Sequence, residues 1–309
     1  MFSSTLPSTT LPGSELKETK GMSLLSNRIT KELVYGGHIG ALGAPSFAAS
    51  CAILMGRTPT LALLIMAYLF TYGAYMLNRG SEVSQDSISN PKRTSYLAKR
   101  TKYLPAISLS CFAAGYAIAA FSGYVFFFAL LVPLVLALAY SVGSKKLKRV
   151  MGANRLKDKL LVKNIVISFS WSLIPVFVGL YYKSFPLVLI SFAPFIFLRI
   201  MPNTIFFDVR DVKADAEFGV RTVPVVFGVP KAYRMMDVLD VFSAAYLLCF
   251  VALQILPAYS AIMVILPVYS VFYRWLSRRP HPDWEFLSTV VADGEDILWG
   301  PLTLLGSLL

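Results

Sequence analysis

An all-α bundle of about nine membrane-spanning helices is the fold class this sequence predicts. Three observations lead there: an excess of apolar residues, apolar runs of spanning length, and a one-sided distribution of basic residues. The chain has 309 residues, 56% of them hydrophobic and only 15% charged, with a mean hydropathy of +0.62. Too few polar residues remain to cover a soluble core of this size, so the outer surface is expected to face lipid.

The first thirty or so residues are rich in Ser, Thr and Pro and carry Lys17, Lys20, Arg28 and Lys31. No short apolar core with a small-residue cleavage site follows, so residues 1–35 read as a disordered cytoplasmic tail rather than a cleaved signal. Residues 36–309 read as a single transmembrane domain. Runs of about twenty apolar residues match the hydrocarbon layer. They fall at 36–55, 58–77, 105–122, 123–141, 163–182, 184–206, 235–256, 258–274 and 293–309. The third and fourth meet at Ser122-Gly123, and the ninth is short and begins among acids.

The connections alternate between tight turns and long basic loops. Arg57 and Lys183 sit in tight turns and Arg199 inside the sixth run; every other Lys or Arg lies in the tail, in a long loop or at a loop's edge. The positive-inside rule then puts the N-terminus and the long loops in the cytoplasm, and the C-terminus on the opposite side. The net charge of +12 is accounted for by this bias and by contact with anionic lipid, with no nucleic-acid partner. Cys51, Cys111 and Cys249 fall within apolar runs without metal-ligand spacing, and read as small buried hydrophobes.

Only 17 residues are acidic, so their clustering carries information. After the second run, Asn78, Glu82 and Asp86 are spaced i, i+4, i+8, which is one face of a continuous helix. After the sixth, Asp208, Asp211 and Asp215 are spaced i, i+3, i+7, again one stripe. Acids at a helix end are often simply solvated. Two such stripes at the same depth, in a chain so poor in acids, would repel one another unless cations lay between them. Carboxylate and amide oxygens are the hard ligands Mg²⁺ prefers, with phosphate oxygens completing its octahedron. The spacing therefore predicts a Mg²⁺ site that meets a polyphosphate ester.

These residues resemble the UbiA superfamily of intramembrane prenyltransferases, which carries an Asn-x₃-Asp-x₃-Asp motif after its second helix and an Asp-rich motif after its sixth. Asn78, Glu82 and Asp86 match the first, and Asn90-Pro91-Lys92-Arg93 is similar to the family's downstream Pro-x-Arg. Asp208, Asp211 and Asp215, with Gly219, Arg221-Thr222 and Pro224, match the second. Two positions depart from the pattern: Glu82 stands where Asp is usual, and Arg79 follows Asn78 where a second acid is frequent. The family also places a Tyr-x₃-Lys after its fourth helix; here Ser144 follows Tyr140 at that spacing, with Lys145 and Lys146 just beyond.

The resemblance implies Mg²⁺-dependent transfer of a prenyl chain from an isoprenyl diphosphate to an acceptor, most commonly an aromatic ring. A glycerol phosphate lipid is the alternative acceptor. It implies Asp86, Asp208, Asp211 and Asp215 as catalytic, with Asn78 and Glu82 joining them around the metal. Arg93, Lys145 and Arg221 are the candidates for the diphosphate. Arg199, Asn203, Asn164 and, more weakly, Trp171 are candidates for the substrate cavity. A charge as deep as Arg199 is expected to face that cavity or pair with an acid. His38 reads as a hydrogen-bonded core residue, and Asp293, Glu295 and Asp296 as N-terminal acids of the ninth helix, outside the site. An ion or metabolite transporter is the rival of another class. Such proteins place ionisable groups near the midplane, often in repeated halves, and no repeat is visible.

Overall fold

A computed structural model describes residues 27–141 and 159–309, with the side chains of 139–141 excepted. Most of the stretch read as a tail, together with Tyr140, Ser144, Lys145 and Lys146, lies outside the described residues or side chains. Every described element is helical.

Residues read as the end of the tail form a helix, α1 (Arg28–Tyr35), begun by Asn27, whose side chain accepts from the Ile29 amide at 3.0 Å. Glu32 anchors it to the following loops through Tyr96 (2.7 Å) and Arg100 (2.6 Å). Helix α2 (His38–Leu54) leaves α1 at 66°. The bend is made by Gly37 at φ +90°, a conformation only glycine adopts without strain. Arg79 fills the notch and donates to the Tyr35 (3.3 Å) and Gly36 (2.8 Å) carbonyls, a cation at a helix C-terminus.

The next spans are α3 (Leu61–Ser81), then two short helices α4 (Val83–Ser89) and α5 (Pro91–Leu97), then α6 (Leu104–Ala119). The fourth apolar run is split into α7 (Tyr124–Ala129) and α8 (Leu131–Ser141). The fifth is α9 (Val162–Ser172) followed by α10 (Ile174–Tyr182), broken at Leu173, where Pro175 removes an amide donor. Helix α11 (Leu187–Glu217) runs unbroken for 31 residues, carrying all three aspartates of the second stripe. After α12 (Val223–Phe227) come α13 (Val229–Ala252), a 3₁₀ turn at Ala258–Val264 and α14 (Ile265–Ser277). A single turn α15 (Trp284–Phe286), a π-helical segment Leu287–Ala292, α16 (Asp293–Ile297) and α17 (Trp299–Leu308) complete the chain.

Among the described residues, five helical stretches are long and apolar enough to span a bilayer, with α9–α10 and the 3₁₀ turn plus α14 each taken as one, or six with the bent α1–α2 pair. The nine expected spans are thus not all full-length: α6 has 16 residues, and the fourth and ninth runs are divided into short helices. Large apolar side chains cover the outside, among them Leu61 (72% exposed), Leu109 (70%) and Val241 (72%). Lipid contact also explains the cysteines: Cys51 is buried, but Cys111 is half-buried and Cys249 exposed.

Since lipid is as apolar as the core, helices must associate through close fit and polar contacts. The seam between α2 and the last helices does this with small residues. Ser46 Oγ donates to the Ile297 carbonyl and accepts from the Gly300 amide, both at 2.7 Å. Gly40 and Gly43 lie against Asp293 and Asp296 on the same seam. Phe47, Phe192, Phe195 and Trp299 interlock beyond it, and this aromatic cluster forms the deep core.

Candidate active site

Inside the bundle lies a cavity of about 380 Å³ with two ends of different chemistry. Ala44, Leu63, Met66, Phe70, Phe126 and Phe177 form an apolar part. Asn78, Glu82, Asp86 and Arg93 line the other end from α3 to α5, opposite Asp211 and Arg210 of α11.

The first acidic stripe is not one helix. Helix α3 stops at Ser81, and Glu82 has φ −123° and ψ 18° before α4 begins. Gly80 and Ser81 are weak helix formers, and Ser81 Oγ turns back to the Asn78 carbonyl (2.7 Å), competing with the helix. The break nevertheless keeps the three residues together: the Asn78 amide donates to Glu82 at 2.6 Å. Asp86 pairs with Arg93 at 2.8 Å, and Arg93 is fixed at its backbone amide by Glu285 (3.0 Å).

The second stripe is continuous, but its members face different neighbours. Asp211 lines the cavity, held by both Nε (2.6 Å) and Nη2 (2.8 Å) of Arg210. Asp208 and Asp215 lie fully buried off the cavity lining. Asp208 receives Lys163 (2.8 Å) and Asn164 (2.8 Å) from α9; Asp215 receives Gln85 of α4 (2.7 Å), a direct tie between the two motifs.

The remaining candidates divide in the same way. Asn203 and Trp171 line the cavity. Asn164 does not, since its amide is committed to Asp208 and Thr204. Arg199 is also absent from the lining: it is 1% exposed and ion-paired to Asp240 and Glu295. Arg221 is exposed and off the cavity, and Lys145 lies outside the described residues. His38 accepts or donates a 2.6 Å hydrogen bond with Tyr68 and stacks on Tyr72.

Five charged lining residues were not anticipated: Arg79, Lys163, Arg210, Asp293 and Asp296. Arg79 and Arg210 are neighbours in sequence of predicted ligands, so their place was signalled. The acids of the ninth run were read as helix caps because their distance in sequence hides their packing against α2.

The donor set suits Mg²⁺: an amide oxygen and carboxylates from two helix ends, with four cations nearby for a diphosphate. Among the described residues no three carboxylate, histidine or cysteine side chains are close enough to hold an ion alone. Mg²⁺ is commonly held by one or two carboxylates, with substrate phosphates supplying the rest.

A polytopic membrane bundle enclosing a cavity that is charged at one end and apolar at the other defines the class of protein. The chain belongs to the UbiA prenyltransferase family, whose model matches residues 39–290; it is an integral membrane protein. A digeranylgeranylglyceryl phosphate synthase of Methanoculleus marisnigri is 30% identical over 175 residues, 56% of this chain. The chain spans 58% of that relative's length. Among solved structures, a UbiA homologue from Archaeoglobus fulgidus bound to GPP and Mg²⁺ superposes with a TM-score of 0.64 at 18% identity. The match covers 90% of this chain and 99% of that one. The apo UbiA homologue from Aeropyrum pernix gives 0.56 at 17% identity, covering 87% and 96%.

Proposed function

We propose that this protein transfers a prenyl chain from an isoprenyl diphosphate to an acceptor within the membrane, with Mg²⁺ as cofactor. The observation that carries the reading is the two-ended cavity, with diphosphate chemistry at one end and room for an isoprenoid at the other.

Transfer requires the allylic C–O bond to break and negative charge to gather on the leaving diphosphate. Preorganised cations in a water-poor site stabilise that charge best. Arg93, Arg210, Lys163 and Arg79 all line the charged end. Arg93 and Arg210 are already oriented by Asp86 and Asp211, so they lose little freedom on binding. Mg²⁺, each ion held by one or two of the Asn78, Glu82, Asp86 and Asp211 side chains together with phosphate oxygens, would supply further neutralisation of the diphosphate. Asp208 and Asp215 act from behind: Asp208 sets the ammonium of Lys163, and Asp215 holds α4 through Gln85. The apolar walls take the prenyl chain and keep water from the cation.

An aromatic acceptor is one reading. A prenylated glyceryl phosphate is the second, supported by the name of the Methanoculleus relative. The basic-residue distribution supports a cytoplasmic N-terminus and charged end, with the C-terminus opposite. With labelled geranylgeranyl diphosphate in proteoliposomes, diphosphate release is expected only with Mg²⁺ and a suitable acceptor. Turnover that survives EDTA would overturn the proposed mechanism.

A further inference from the structure

Asp293 and Asp296 line the cavity but have no part in diphosphate departure as derived above. Their placement depends on several features of the wall around them. The π-helical Leu287–Ala292 shifts the register just before Asp293, and such segments are frequent at functional sites. Its carbonyls are taken from outside: Tyr269 donates to Val291 (3.0 Å) and Asn203 to Ala292 (3.2 Å). Between the two aspartates, Glu295 is held by the buried Arg199, which fixes the rotation of α16. On α2, glycines leave room for the two acids. A Cβ at Gly40 would lie 3.2 Å from Asp293 Oδ2; one at Gly43 would lie 2.7 Å from Asp296 Cβ and 3.1 Å from Trp171 Cη2.

The two acids differ in company. Asp293 feels the charges of Arg210, Arg79 and Arg93, so it belongs to the charged end. Asp296 stands one turn further along α16, about 4.5 Å by helix rise. It is 5% exposed, and among the described residues it has no hydrogen-bond or ion-pair partner. Among the described residues, the cation whose charge bears on it is Arg199, already held by Asp240 and Glu295. A buried carboxyl without a donor is costly, so its retention at a cavity wall points to a ligand that brings the donor. That ligand group is not an anion, which Asp293, Glu295 and Asp296 together would repel. A neutral hydroxyl, next to the Trp171 ring, fits.

We propose that Asp296 binds the hydroxyl group of the prenyl acceptor and takes its proton as an ether bond forms. This rests on the transfer reading above. The allylic C1–O bond breaks with its electron pair leaving on the diphosphate. A lone pair of the acceptor oxygen forms the new bond to C1, and the hydroxyl proton passes to a carboxylate oxygen of Asp296. Such a base, one turn from the charged end, is placed for a reaction at C1, where diphosphate and chain meet.

The test uses the full-length protein in nanodiscs with Mg²⁺ and geranylgeranyl diphosphate. Two acceptors are offered: geranylgeranylglyceryl phosphate, an aliphatic hydroxyl, and 4-hydroxybenzoate, a phenol. In Asp296→Asn the acceptor KM is expected to rise about ten- to a hundredfold. The kcat should fall by about a hundredfold or more, with partial recovery in Asp296→Glu. Binding of the unreactive geranylgeranyl thiodiphosphate should stay within about twofold of wild type. Ether formation with the first acceptor alone, with this pattern, makes the hydroxyl a lipid one; ether formation with the second alone makes it a phenol. A product alkylated at a ring carbon of the second would overturn the assignment. An unchanged acceptor KM and kcat in Asp296→Asn would overturn the assignment while leaving the transfer reading intact. Loss of thiodiphosphate binding in that variant would also overturn it, since Asp296 would then be structural. Wild-type protein that binds no thiodiphosphate and prenylates neither acceptor would sink both.

Discussion

Two of the places where this bundle holds arginines against carboxylates differ in what else can reach them. At the Arg199 site, Asp240, Glu295 and Arg274 close around one another, and all four are nearly inaccessible. At the cavity, Asp86–Arg93 and Asp211–Arg210 make equally direct pairs, yet every member also lines open space. The first arrangement answers its own charges and ties α11, α13, α14 and α16 together. The second leaves oxygen lone pairs and guanidinium edges turned toward a ligand. Pairing alone therefore does not distinguish a functional charge from a structural one; access to the cavity does.

Breaking the closed site should have the larger effect. Arg199→Leu leaves Glu295 buried without its cation and Asp240 with Arg274 alone, a loss of about 3–5 kcal/mol for one partner of a buried pair. Thermal unfolding in detergent should show a much lowered midpoint, with poor recovery of folded protein. A variant that folds as well as wild type would mean that the closed network is dispensable. At the open site the expected loss is in rate rather than folding. Asp86→Asn together with Asp211→Asn should lower diphosphate release by about a hundred- to a thousandfold, as for removal of preorganised electrostatic groups. The melting temperature should change little, because both residues border the cavity. Unchanged turnover would sink the role of the charged end.

The same contrast explains how much the sequence revealed. The placement of both acidic stripes at helix ends was legible, since helical spacing is a local signal. Helix α11 carries Asp208, Asp211 and Asp215 on consecutive turns as expected. Which of them faces the cavity was not legible: the choice depends on Lys163 and Asn164 of α9, far away in sequence. Arg199 was read as a cavity candidate or the partner of an acid; the structure pairs it with two acids that lie 41 and 96 residues away. The break at Glu82 was foreshadowed by Gly80-Ser81, although the regular i, i+4 spacing masked it. Asp293 and Asp296 were hidden because their importance comes from what packs on them, Gly40 and Gly43 of α2.

The smallest effects separate two arginines that sequence treats alike. Arg93 and Arg221 each follow an acidic motif, and each is a candidate for the diphosphate. Arg93 is paired with Asp86 and lines the cavity, whereas Arg221 is exposed beyond the end of α11. Arg93→Ala should raise the KM for the prenyl diphosphate by about tenfold, the loss of one charge-assisted hydrogen bond. Arg221→Ala should stay within about twofold, as expected for a solvated charge screened by salt. Steady-state kinetics on both variants at one Mg²⁺ concentration makes the comparison direct. A larger KM effect at Arg221 than at Arg93 would mean that the loop after α11 folds over the bound diphosphate. In that event access to the site would be set by the ligand as well as by the bundle.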